Sequence, residues 1–148
     1  MEMTTTNRKT RGVRNNNPGN IDYNPRNDWQ GQLGIEPKVG SSNPRFALFD
    51  TPENGIRALG KLIRAYQNKH GLKTIEQIIA RWAPSTENNT LAYAEAVAKA
   101  VGVTAHANIN VNTVTMLRPL VEAIIRHENG YDPYPSAVIR EGVTRALT

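Results

Sequence analysis

The sequence predicts an α+β fold that is mostly α, with a small irregular β lobe near the N-terminus. Three observations predict it. Beyond Asp50, apolar residues recur at helical spacing in one segment after another. Residues 12–50 are instead dense in Asn, Gly and Pro, with only two short apolar pieces. And a chain of 148 residues with no cysteine must be held by one hydrophobic core rather than by disulfides.

Residues 1–11 are polar, include three consecutive threonines and have no apolar h-region. They read as a flexible tail and not as a signal peptide, leaving 12–148 as a single domain. The stretch NNNPGN at 15–20 is a turn cluster, because Asn and Gly tolerate positive φ and Pro fixes a corner. Short strands or extended loops are expected at 32–35 and 46–49. The first long helix starts at Thr51–Pro52, a cap followed by a proline at the first helical position, and ends at Gly71. Its inward face is Ile56, Leu59, Gly60, Ile63 and Tyr66–Gln67. A second helix opens with the capping-box pair Thr74 and Gln77 and stops at Pro84. A third runs over 91–101 behind an Asn88–Asn89 cap and ends at Gly102. A fourth covers 112–129, with a bend or restart expected at Pro119. The last covers 136–147, with Ser136 as its cap.

The balance of 18 Lys+Arg against 13 Asp+Glu gives a net charge of +5, which favours anionic partners. The basic residues are scattered apart from a cluster at 8–14, which argues against a nucleic-acid reader with a dense basic stripe. No apolar run is long enough to span a bilayer, and the lack of cysteine fits synthesis in a reducing cytoplasm. His70, His106 and His127 have no metal-ligand spacing, so no metal and no cofactor is expected.

The fourth helix carries the chemical argument. Its apolar stripe is Leu117, Leu120, Val121, Ile124 and Ile125, and one further step of four from Ile124 reaches Glu128. A carboxyl thus falls where a core-facing residue belongs. Apolar surroundings and the negative end of the helix would both hold it protonated, as a general acid for glycosidic cleavage requires. The competing reading is a Glu neutralising a buried Arg14 or Arg57, or turned out to water. Glu122, four residues before Arg126, reads as an exposed ion pair. Gly130 breaks the helix beside Glu128, and Tyr131 and Tyr134 follow as candidate groove residues.

Two resemblances sharpen this picture. The segments RGVRNNNPGNIDYN, DWQGQLG, FALFDTPENGIRALGKLIRAY and TIEQIIARWAPSTENNTLAYAEAV resemble small bacteriophage proteins described as virion structural proteins or lysozyme-like wall hydrolases. VEAIIRHENGYDPYPSAV resembles the helix of lytic transglycosylases that ends in the catalytic Glu, here Glu128. In those enzymes the Glu helix precedes the sheet lobe, whereas here it comes last. The NNPGN to FALF segment also resembles the β-lobe of glucosaminidase-type wall enzymes, which follows the catalytic helix there, and the two agree if the fold is a circularly permuted lysozyme-like one. The glycine-rich stretch that usually follows the catalytic Glu is missing.

The resemblance implies a particle-associated peptidoglycan glycosidase, or muramidase, or lytic transglycosylase that opens the wall for genome entry. It would be made in the host cytoplasm, packaged in the virion, and act at the wall or periplasm. Its partners would be peptidoglycan glycan strands and other virion proteins. The alternative is a non-catalytic virion structural or ejection protein of the same shape.

Glu53, in the first turn of the first long helix, is the candidate second carboxylate, although a helix-dipole partner is the ordinary role there. Asn17 and Asn20 are candidate substrate ligands, against a plain turn role. Trp29 is a candidate sugar-stacking indole, against simple packing. Tyr93 and Trp82 read as core residues, with the Tyr93 hydroxyl reaching toward the cleft. The 83–93 segment is a candidate groove-lining loop.

Overall fold

The computed structural model describes residues 9–148. Most of the predicted tail, residues 1–8, lies outside the described residues. The element order is α1 (Arg11–Arg14), β1 (Gln32–Ile35), β2 (Ala47–Phe49), α2 (Pro52–His70), α3 (Ile75–Trp82), α4 (Thr90–Val101), α5 (Val114–Asn129) and α6 (Ser136–Leu147). The expected mostly helical α+β fold is therefore present, with the small sheet near the N-terminus.

The single turn of α1 was not anticipated. Thr10 caps it by accepting from the Val13 N–H, and the Thr10 hydroxyl donates to Asn129 Oδ1. Arg11 is fastened to Glu36. Residues 10 and 11 are thus part of the folded body rather than of a tail. Four residues carry too little periodicity to reveal a helix whose stability comes from tertiary contacts.

β1 and β2 pair antiparallel, with an irregularity between Gln32 and Gly34. The 15–20 turn does as its composition requires: Asn16 and Asn20 take φ of 50° and 52°, values that Asn adopts more readily than other residues with a Cβ.

The long helices follow the predicted capping chemistry. Thr51 accepts from the Asn54 N–H, Pro52 opens α2, and Gly71 closes it with φ 66°. Thr74 accepts from the Gln77 N–H, but the Gln77 side chain takes the N–H of Lys73 rather than that of Thr74, so the box closes one residue early. Asn89 caps α4 by accepting from the Ala92 N–H. α5 runs through Pro119 as one helix and starts behind Thr113. Ser136 does not cap α6; Pro135 occupies that position, and the Ser136 hydroxyl accepts from Arg118.

α2 packs lengthwise on α6, and α4 packs against both α3 and α5. The core is one cluster that runs from Ile21 and Phe49 in the lobe through Ile56, Leu59 and Ile63 to the α5 stripe. Leu117, Leu120, Val121, Ile124 and Ile125 are all buried, as their spacing predicts. Glu122 pairs with Arg118 at 3.0 Å and not with Arg126, which reaches Asp132 instead. No helix among the described residues is long and apolar enough to cross a membrane.

Candidate functional site

The last turn of α5 brings Glu128 against the N-terminal lobe. Its half-buried carboxyl accepts from Asn20 Nδ2 at 3.0 Å on one oxygen and from the Tyr93 hydroxyl at 2.8 Å on the other. Trp82 Nε1 donates to the Tyr93 oxygen at 3.2 Å. That occupies the phenol from behind and leaves its one proton for Glu128. Burial first, then the neighbouring Glu128 carboxyl, push the Tyr93 phenol well above its ordinary range, so it stays a donor. The His127 ring stacks on Tyr93 at 3.6 Å between centroids. Among the described residues Glu128 makes no salt bridge, so it does not neutralise Arg14 or Arg57.

Glu128 opens onto a cleft of about 440 Å³ between the lobe and the helices. The lobe contributes Asn20, Asp22, Asn24, Asn27, Arg45 and Phe46. α2 contributes Leu62 and Tyr66, α3 contributes Arg81 and Trp82, and the following loop contributes Ala83, Pro84, Glu87 and Asn88. Planar amides beside aromatic faces are groups that hydrogen-bond and stack on sugars. Arg45 reaches Asp22 at 2.6 Å and Glu87 at 3.1 Å, and so ties the lobe to the loop after α3.

The lobe wall is held in place by a second carboxylate. Glu36 is 5% exposed and accepts from Arg11, from Asn15 Nδ2 and from the backbone N–H groups of Arg45 and Phe46. The Arg11 guanidinium, with those N–H donors, holds its carboxyl far below the usual carboxylate range. Asn129 adds a clamp from the helix side, donating to the carbonyls of Pro18 and Ile125, both at 2.8 Å. Glu128 is thus fixed against the residues of the 15–20 turn from two directions.

The structure brings together only part of the residue set expected from sequence. Glu128 and Asn20 meet in the cleft. The 83–93 segment lines it through Ala83, Pro84, Glu87 and Asn88.

The structure places the other five candidates, Tyr93, Asn17, Trp29, Glu53 and Tyr131, away from the cleft surface. Tyr93 is 1% exposed and does not reach the cleft surface; it acts on Glu128 rather than on a ligand. Asn17 is fully buried. It donates to the carbonyls of Ile21 and Ala47 and accepts from the Ile21 N–H, which makes it a staple of the lobe. Trp29 is half-buried against the core, away from the cleft, so its indole is not an open stacking face. Glu53 and Tyr131 also lie outside the cleft. The Tyr134 phenol near them is pushed up to about 12, chiefly by burial. Tyr134 lines a separate cavity of about 190 Å³ with Arg118 and Glu122.

Sequence reasoning passed over Asp22, Arg45, Tyr66 and Arg81, because each reads locally as an ordinary surface or helix-face residue. Glu36 was missed for the same reason. The acid in an otherwise apolar stripe was the one local signal, and it found Glu128.

No known family model matches the sequence. The chain is similar to Protein P5 of Pseudoalteromonas phage PM2, with 38% identity over 144 residues. The similarity covers 96% of this chain and 85% of the phage protein. Identity of this extent over nearly the whole folded body is a shared family, and the chain belongs to that of Protein P5 of phage PM2.

Proposed function

We propose that this chain is a phage-particle protein that cleaves the glycan strands of the bacterial wall, with Glu128 as its acid. The observation that carries the reading is a carboxyl lining an open cleft, without a salt bridge among the described residues and oriented by two neutral donors. Glu128 gives its proton to the glycosidic oxygen as that bond breaks, and the carboxylate left behind then takes the proton of the incoming nucleophile. Asp22 and Glu87, the other acids in the cleft, are both tied to Arg45. A single cleft carboxylate outside any ion pair among the described residues favours the lytic transglycosylase route, in which the muramyl 6-hydroxyl of the substrate itself replaces water. The contact of the α5 terminus with the N-terminal lobe fits a circularly permuted lysozyme-like arrangement. The phage relative supports an origin in the virion, with other virion proteins as partners.

A second reading has its own support. Both Glu128 oxygens already have donors within the protein, as expected of a satisfied structural carboxylate in a non-catalytic virion or ejection protein. Zymography on peptidoglycan gels separates the two. Clearing by the wild type that Glu128→Gln loses, with matching circular dichroism, supports the enzyme. Absence of clearing across buffers supports the scaffold.

A further inference from the structure

Two cations line the cleft, and they differ in their surroundings. Arg45 lies between Asp22 and Glu87, so its charge is already balanced. Arg81 makes no salt bridge among the described residues. It is exposed, and its guanidinium carbon stands 5.2 Å from the centroid of the Tyr66 ring, which also lines the cleft. A place in the last turn of α3 is favourable for any cation, because the helix ends in free carbonyls. That role does not require a cleft or an aromatic backing.

We propose that Arg81 is the specificity residue of this cleft. It recognises a carboxylate carried by the glycan strand, so that the protein selects the anionic wall polymer over an uncharged chitin-type polymer. The inference rests on the glycan-strand reading above and adds the charge of the substrate. A guanidinium presents parallel N–H groups that match a carboxylate, and stacking on an aromatic face is a habit of Arg rather than Lys. Backing by Tyr66 narrows the orientations the side chain must give up when it binds, which lowers the entropic cost of the contact. Chitin strands offer only hydroxyls and acetamido groups. Wall strands carry a lactyl carboxyl on every second sugar, joined to a peptide that has carboxylates of its own. Where the peptide has been removed, the lactyl carboxylate is free. Both sources present the same anion.

Equilibrium binding with the full chain carrying Glu128→Gln, to prevent turnover, tests the proposal. Arg81 is kept, or changed to Met or Lys, and matching circular dichroism checks the fold. The three ligands are soluble wall strands with their peptides, the same strands stripped by an amidase, and chitohexaose.

Arg81→Met is expected to weaken wall-strand binding by about tenfold or more, with Lys intermediate and chitohexaose changed by less than about twofold. A loss confined to peptide-bearing strands assigns the carboxylate to the peptide. A loss confined to stripped strands assigns it to the lactyl group. Binding of wall strands that ignores Arg81, or a loss of equal size with all three ligands, overturns this inference and leaves the glycan reading standing. If none of the ligands binds, both fall.

Discussion

Tyr93 connects two groups through one oxygen, accepting from Trp82 and donating to Glu128. Tyr93→Phe removes the donor from one carboxylate oxygen and leaves the Trp82 N–H without its partner. The expected cost in stability is about 1 kcal/mol by urea titration, and on the proposed reading the loss of wall-clearing rate is larger than that of stability. A variant that clears at the wild-type rate would detach the phenol from the chemistry. Glu36 behaves differently, since its partners are structural. Its folded carboxyl is held below the unfolded value, so its contribution to stability is fully present above the unfolded carboxylate pKa of about 4.3 and is lost as pH falls below it. Glu36→Gln should cost about 1–3 kcal/mol near neutrality, discounted because Arg11 is 35% exposed. It should also flatten the fall of melting temperature between neutral and acid pH. An unchanged acid limb would assign that transition to other carboxylates.

At the scale of elements, the lobe and the helices meet where side chains are missing. A Cβ on Gly55 of α2 would lie 1.8 Å from the Asn16 carbonyl oxygen, and one on Gly142 of α6 would lie 2.5 Å from Ile56. The first contact lets the turn that carries Asn20 rest directly on α2, and the second lets α2 and α6 close along their length. Gly142→Ala should cost about 1–3 kcal/mol by denaturant titration, and Gly55→Ala at least as much, since it meets backbone rather than the end of a flexible side chain. Gly55→Ala should also lower activity in protein that remains folded, because the 15–20 turn must shift and takes Asn20 away from Glu128. Full stability in Gly55→Ala would show that the lobe can ride further out than its contacts suggest.

For the molecule as a whole, the net charge of +5 acts over distances longer than any single contact. Adsorption to isolated walls should weaken as salt rises from about 50 mM to about 500 mM, as the screening length falls from above 10 Å to a few Å. Sedimentation of the protein with purified sacculi measures this. Retention that is indifferent to salt would mean that adsorption depends on uncharged sugar contacts instead. Arg45 adds a link between the lobe and the loop after α3, although its pairs with Asp22 and Glu87 are half exposed and each contributes little to stability.

The sequence by itself determined the helices, their caps and the buried stripe of α5, because these follow from local spacing and from hydrogen bonds a few residues long. It also singled out Glu128, since a carboxyl in an apolar period is a local anomaly. Only the tertiary structure decided what Glu128 faces. Asn20 lies 108 residues away along the chain and Tyr93 35 residues away. Asn17, Glu36 and Arg81 likewise take their roles from partners supplied by other segments. A hydrogen bond or a cleft wall between distant segments leaves no periodic trace in either one. That is why Asn17 and Trp29 stay open between ligand and structural roles in the sequence, and why nothing local sets Arg81 apart.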